Sequence, residues 1–156
     1  IYKRNTLDLN KFDDPTFGKA RGTDYKLFEE DIKVLNTVKQ SLIELTKNFF
    51  KSEVYFKDSF FTILEGKGVV EKHNHLDNLD KVKKLNLFKQ KLSLVYYLKT
   101  GETNCSEPGY INFYNPNKKL LPENGMIIIF PSERIHSVIY NGSKDRVILG
   151  VNFYIY

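Results

Sequence analysis

From residue 53 onwards the chain is a series of short apolar runs separated by turn residues, and this pattern restricts the fold more than any other feature. Residues 92–98, 110–114 and 126–130 are rich in aliphatic and aromatic side chains, and Gly, Asn or Pro follows each run closely. The run at 126–130 is apolar throughout, which is typical of a buried strand. About eight short strands after a single helical segment predict an antiparallel sandwich or jelly roll.

Turn residues divide these strands. A turn is predicted at 57–58, between strands 54–56 and 59–64, and another at 65–68. A third turn is predicted at Asn141-Gly142, where residues 137–140 and 146–154 are expected to form a hairpin. The segment 77–90, rich in Lys, Leu and Asn, is predicted to be a short helix or a mobile insertion that folds over a site entrance or extends into solvent.

The N-terminal part contains one helical pattern. Between residues 27 and 50, apolar side chains recur at spacings of three and four, which predicts one long amphipathic helix or two shorter ones packed on the sheet. Residues 1–24 are polar and contain Pro and Gly, so we expect an irregular arm. The chain is interpreted as one domain, with an arm and support helix over 1–52 and a jelly-roll core over 53–156.

Composition narrows the class of function. The formal net charge is +5, but the lysines alternate with acidic residues and do not form the stripe that nucleic-acid binding requires, so we expect no nucleic-acid partner. Cys105 is the single cysteine, which excludes an intrachain disulfide and favours a reducing, cytoplasmic location. No apolar run approaches the roughly 18 residues of a membrane span, so we expect no membrane partner. The expected state is a monomer or homodimer.

All three histidines belong to two clusters that are far apart in sequence. His73 and His75 lie in the segment His73-Asn74-His75-Leu76-Asp77, whereas His136 follows the apolar run at 126–130. Alternate side chains of a strand point to the same face, so His73, His75 and Asp77 could project into one cavity. Two histidines and a carboxylate, with the other positions open, are the ligand set of non-haem Fe(II) oxygenases.

Two ligand sets remain open at this point. The set His75, Asp77 and His136 is preferred, because His75-Leu76-Asp77 has the His-x-Asp spacing. In the alternative, His73 replaces Asp77 as a ligand, and Asp77 becomes a hydrogen-bond acceptor behind the site. A His-x-His segment alone is weak evidence for a metal, since histidines in polar loops are often ordinary surface residues.

Several ordered motifs of the C-terminal half strengthen the metal hypothesis. They are the strand 92–98 with its Tyr-Tyr-Leu, Gly109-Tyr110-Ile111-Asn112-Phe113, the Pro-x-x-Gly-Met-x-x-x-Phe-Pro-Ser of 122–132, His136-Ser137-Val138, and Arg146. Together, over residues 60–154, they resemble the 2-oxoglutarate- and Fe(II)-dependent oxygenases of the prolyl-hydroxylase-like superfamily, in particular its small bacterial and phage-type members. This resemblance implies a mainly β, cupin-like double-stranded β-helix. It also implies Fe(II), 2-oxoglutarate and dioxygen as cofactors and co-substrates, with ascorbate in a supporting role.

The resemblance also implies roles for individual residues. His136 would be the distal iron ligand, and Arg146 would bind the far carboxylate of 2-oxoglutarate through its planar guanidinium. Tyr97 would offer its hydroxyl to the same carboxylate, and Asn152 would line the pocket. The reaction would be a hydroxylation of a small-molecule or peptidyl substrate that the sequence does not identify. The rival hypotheses are a non-catalytic jelly-roll binding module and a three-histidine dioxygenase that needs no 2-oxoglutarate.

Overall fold

One α-helix and nine strands make up the part of the chain that the computed structural model describes, which is residues 10–11, 18–23, 25–82 and 84–156. The elements in chain order are β1 (Asn10–Lys11), β2 (Gly18–Gly22), α1 (Lys33–Phe50), β3 (Val54–His73), β4 (Lys91–Lys99), β5 (Pro108–Phe113), β6 (Lys118–Leu120), β7 (Ile127–Pro131), β8 (His136–Tyr140) and β9 (Arg146–Ile155). Short 3-10 turns at Leu27–Glu29 and Leu87–Lys89 complete the described structure. None of the described helices is both long and apolar enough to cross a membrane.

The long strand β3 organises the sheet. Its first part, from Val54 to Leu64, pairs with β9, and its last part, from Gly68 to His73, pairs with β8. The turns predicted at 57–58 and 65–68 are therefore wrong: the strand runs through 20 residues, with a register shift between Phe56 and Asp58. Hydrogen bonding to partner strands along this whole length outweighs the local turn preference of Asp and Gly.

The strands form one curled antiparallel sheet in the order β6-β5-β8-β3-β9-β4-β7, with β2 added to β3 and β1 to β2. The hairpin predicted at Asn141-Gly142 is wrong, because β8 and β9 both pair antiparallel with β3 and therefore run in the same direction. Part of the N-terminal arm is also regular, since β2 pairs with β3 through Ala20 and Leu64. The rest of the predicted arm lies outside the described residues, apart from Asn10–Lys11 and Thr23.

The strand β9 separates the two interiors of the protein. Its residues Val147, Leu149, Val151 and Phe153 belong to a core that includes Leu42 of the helix, whereas the alternate residues face a cavity inside the curled sheet. Both faces of the strand are thus buried. The helical prediction is confirmed as α1 preceded by a separate 3-10 turn, and the mainly β prediction with a support helix is confirmed as well.

Candidate metal centre and co-substrate pocket

The fold brings the three histidines together. His73 at the end of β3 is registered opposite His136 at the start of β8, and His75 follows two residues after His73. One ligand atom from each of these imidazoles lies within 4.8 Å of the others. The Nε2 atoms of His75 and His136 are 3.3 Å apart. Two nitrogens bound to one divalent ion at about 2.1 Å are separated by about 3.0–3.4 Å, so the spacing fits a shared metal.

Hydrogen bonds orient two of these rings for metal binding. The Nδ1 of His136 donates to the carbonyl of Arg134 at 3.0 Å, and the Nδ1 of His73 donates to the carbonyl of Glu71 at 2.8 Å. A carbonyl oxygen only accepts, so Nδ1 carries the proton in both rings and Nε2 keeps a lone pair when the ring is neutral. The backbone N–H of His75 donates to the carbonyl of Ser132 at 2.8 Å and fixes the third residue.

Burial keeps the imidazoles of His75 and His136 neutral. It lowers the pKa of His136 to about 4, and repulsion from His73 adds to this effect. Burial, followed by repulsion from His136 and His73, holds the pKa of His75 well below its ordinary value. Neutral imidazoles bind metals without first releasing a proton, so these residues suit a divalent ion at neutral pH.

Asp77 lies outside this group of ligand atoms. Its Oδ2 accepts hydrogen bonds from Lys57 and, at 3.3 Å, from Lys91, and its Oδ1 accepts from the backbone N–H groups of Leu79 and Asp80. Burial raises the pKa of the Asp77 carboxyl, but the hydrogen bonds and positive charges lower it by more, so it is far below its usual range.

The structure therefore groups His73, His75 and His136, and this departs from the preferred set of His75, Asp77 and His136. The physical reason is that two lysines and two backbone N–H groups already occupy the carboxylate of Asp77. The choice of ligands remains a prediction.

A buried ion pair anchors the segment after Asp77. Lys91 is 1% exposed and donates to the Oδ2 of the fully buried Asp80 at 2.6 Å, and Tyr154 donates its hydroxyl to the Oδ1 of Asp80 at 2.6 Å. Among the described residues of 78–90, none lines the cavity. Leu79, Leu87 and Gln90 lie instead in a surface depression next to Tyr154.

Replacing Asp80 by Ala is expected to lower the free energy of unfolding by about 3–5 kcal/mol, because it removes the closest carboxylate from a buried ammonium group. Urea unfolding followed by circular dichroism measures the loss. The exposed Asp31 supplies the matched control, and Asp31→Ala is expected to stay within about 0.5 kcal/mol of the original protein. Equal, small losses in both variants would mean that the buried pair contributes no net stability.

Arg146 is a buried cation that forms no ion pair with any acid in the part of the chain that the structure describes. Its side chain is 3% exposed, no described carboxylate forms an ion pair with it, and its Nε has no hydrogen-bond partner. A side chain at Gly109, where φ is +88°, would bring a Cβ within 2.8 Å of that Nε, so only glycine leaves room for the guanidinium there. Burial lowers the pKa of Arg146, yet a guanidinium stays charged in proteins. Such a group requires a compensating anion.

Tyr97 lies next to Arg146, and its role in binding a carboxylate stays a prediction. The tyrosine is fully buried, and its ring centroid is 5.1 Å from the guanidinium carbon. Burial raises the pKa of Tyr97 and Arg146 lowers it in part, so the hydroxyl is protonated at neutral pH. It can accept from the guanidinium and still donate to a carboxylate.

Asn152 lines the same cavity at the opposite end. It is registered opposite Asp58 and donates to that carboxylate at 3.2 Å, and it accepts from the hydroxyl of Ser93 at 2.8 Å. Arg146 is registered opposite Leu64, which is six positions from Asp58 and therefore about 20 Å away along the strand. Asn152 thus lines the cavity but lies far from the guanidinium.

The three histidines, Arg146, Tyr97 and Asn152 all line one cavity of about 370 Å³. This volume suits a small ligand. Further lining residues that the sequence did not identify include Asp58, Phe60, Lys91 and Tyr25. Alternation along β3, where 58, 60, 62 and 64 all face the cavity, would have identified the first two if the strand had been read as continuous.

Known structures share this fold. A prolyl-4-hydroxylase from Pseudomonas putida matches with a TM-score of 0.69 at 16% identity, over 96% of this chain and 78% of that chain. The viral collagen prolyl hydroxylase from Paramecium Bursaria Chlorella virus-1, in a 2-oxoglutarate complex, matches with a TM-score of 0.64 at 16% identity, over 89% and 80%. HygX from Streptomyces hygroscopicus, with nickel and 2-oxoglutarate bound, matches with a TM-score of 0.68 at 10% identity, over 96% and 74%.

The fold is therefore the one used by these 2-oxoglutarate- and Fe(II)-dependent oxygenases, as the sequence resemblance implied. No protein-family model matches the chain, and no curated protein matches it either. At such low identity the likeness establishes the fold, and the function is argued from the site.

Proposed function

We propose that this protein is a 2-oxoglutarate- and Fe(II)-dependent dioxygenase, and specifically a hydroxylase. One observation supports it above all. Arg146 is buried, forms no ion pair with a described carboxylate, and lines the same cavity as the three clustered histidines. A metal alone would account for the imidazoles but leave the guanidinium without an anion. A ligand that chelates the metal at one end and carries a carboxylate at the other accounts for both.

Different residues of the chain would bind the metal and the co-substrate. His73, His75 and His136 would hold Fe(II), and Arg146 and Tyr97 would hold the distal carboxylate of 2-oxoglutarate. Fe(II) bound in this way supplies the oxidative decarboxylation of 2-oxoglutarate by dioxygen and the oxidation of a substrate C–H bond. Phe113 and Phe130 pack against the ring of His136, at centroid distances of 6.1 and 4.9 Å, and exclude water behind the ligands.

The proposal also covers the substrate class, the cellular location and the oligomeric state. The substrate would be a small molecule or a peptide side chain, and we propose a cytoplasmic monomer or homodimer. Ascorbate would support turnover by keeping the iron reduced.

The all-histidine cluster also favours a second candidate, a three-histidine dioxygenase that does not use 2-oxoglutarate. Such an enzyme would bind the same metal through His73, His75 and His136. It would have no ligand for Arg146, so binding of 2-oxoglutarate distinguishes the two candidates.

The proposal is tested by admitting oxygen to anaerobically purified protein that contains Fe(II), 2-oxoglutarate and ascorbate. We expect succinate to form in amounts that depend on both iron and 2-oxoglutarate, because the co-substrate alone is turned over slowly in such sites. Calorimetric titration of 2-oxoglutarate into Ni(II)-loaded protein provides a second measurement that needs no substrate. Metal binding without either succinate or 2-oxoglutarate binding would favour the second candidate.

A further inference from the structure

We infer that the substrate carries a positively charged group, an ammonium or guanidinium, and that Asp58, Tyr25 and Phe60 bind it at the end of the cavity opposite Arg146. The inference rests on the proposed function, since it assigns the substrate to the space that 2-oxoglutarate and the metal leave free. It names the chemical class of the substrate, which neither the fold nor the metal ligands specify.

The two ends of the cavity differ in exposure. Arg146 is 3% exposed, whereas Tyr25 is 49% exposed and therefore lies at the mouth. Three rings lead inwards from there. Tyr25 meets Phe60 edge to face at 5.2 Å, and Phe60 stacks on His75 at 6.3 Å. A substrate that reaches the metal from solvent passes these rings.

Phe60 is held across the inner face of the sheet by the strand beside it. Gly150 is registered opposite Phe60, and a Cβ at that glycine would overlap the phenyl ring. The backbone at the mouth is also fixed, because the N–H of Ser59 donates to the carbonyl of Tyr25 at 2.9 Å. The two rings are thus set in place before any ligand arrives.

The charged side chains at the mouth of the cavity differ in whether they form ion pairs. Lys57 and Lys91 are ion-paired with Asp77, and Lys91 with Asp80 as well, so these four groups neutralise one another. Asp58 is the other described acid that lines the cavity, and it accepts a hydrogen bond from the neutral amide of Asn152. Lys57 attracts Asp58 without forming an ion pair with it. Among the described acids that line the cavity, Asp58 is therefore the one without an ion-paired cation.

A carboxylate next to two aromatic rings suits a cation. The carboxylate accepts charge-assisted hydrogen bonds, and the ring faces attract an ammonium or guanidinium group through their quadrupoles. A substrate anion at this position would instead meet Asp58 directly. The geometry therefore favours a basic amino-acid side chain or an amine-bearing small molecule.

The test uses Nα-acetyl-L-lysine methylamide and its uncharged analogue Nα-acetyl-L-norleucine methylamide, with the glutamate analogue as the anionic probe. Each is titrated into protein loaded with Ni(II) and 2-oxoglutarate, where no turnover occurs. We expect the lysine probe to bind roughly 10- to 100-fold more tightly than the norleucine probe, from a hydrogen bond to a charged group. Asp58→Asn is expected to abolish this preference, and Tyr25→Ala to reduce it. Asp31→Asn removes an acid remote from the cavity and is expected to leave it intact.

The possible results separate this inference from the function on which it rests. Equal binding of the lysine and norleucine probes, tighter binding of the glutamate probe, or an unchanged preference in Asp58→Asn would overturn the inference. If the protein still forms succinate in those cases, the dioxygenase proposal stands. Failure to bind 2-oxoglutarate would overturn the dioxygenase proposal, and the same probes titrated into the Ni(II)-loaded protein would then decide the cation site independently.

Discussion

Replacing Arg146 by Gln is expected to weaken the binding of 2-oxoglutarate by at least about 30-fold. Loss of one partner of a buried charge pair costs about 2–5 kcal/mol, and each 1.4 kcal/mol is a factor of ten. The distal carboxylate would then lie in the cavity beside Tyr97 with no cation to balance it. Arg146→Lys is expected to retain part of the affinity, since the ammonium keeps the charge but loses the planar pair of donors.

Two measurements check this prediction: calorimetric titration of 2-oxoglutarate into the Ni(II)-loaded protein, and succinate formation at increasing 2-oxoglutarate concentrations with Fe(II). Arg21, which pairs with Glu65 on the far side of β3, supplies a matched control that removes a cation outside the cavity. Metal content should be equal in all variants. Equal affinity for 2-oxoglutarate in Arg146→Gln and the original protein would show that the co-substrate binds elsewhere or not at all.

The second large effect is expected at the metal ligands. The variants His73→Ala, His75→Ala and His136→Ala should each reduce metal affinity by more than about 100-fold. Loss of a hydrogen bond that merely supports a ligand already costs roughly 10- to 100-fold. Asp77→Asn should reduce it by about tenfold or less, because the amide oxygen can still accept from the N–H groups of Leu79 and Asp80.

Titration with Co(II), followed by its visible absorption, measures these affinities and also reports coordination. The Asn variant is preferable to Ala at position 77, since it keeps the local turn and isolates the loss of charge. If Asp77→Asn loses the metal while His73→Ala keeps it, the set His75, Asp77 and His136 is the correct one. The Asp77 side chain would then have to leave Lys57 and Lys91 when the metal binds.

Much of the fold followed from local patterns. The predicted strands at 92–98, 110–114 and 126–130 are confirmed as Lys91–Lys99, Pro108–Phe113 and Ile127–Pro131. The spacing of apolar residues and the presence of turn-forming residues depend only on neighbouring positions, so both can be read from the sequence. The failed predictions concern pairing. The strands on either side of Asn141-Gly142 both pair antiparallel with β3, so they run in the same direction and the chain does not reverse there as predicted.

The site shows the same division. The sequence alone predicted which side chains have the chemistry for a metal and a carboxylate. Residue type and spacing, which are local properties, indicated the histidines and Arg146, and the resemblance to known oxygenases added Tyr97. Only the tertiary structure decided which of them meet. The pairing of β8 with β3 places His136 next to His73. Asp77 forms ion pairs with two lysines that lie on separate strands. Arg146 forms no ion pair with any described carboxylate, and its Nε has no hydrogen-bond partner. The reason is physical: burial and charge pairing depend on distances between segments far apart in the chain, and these are set only when the sheet curls closed.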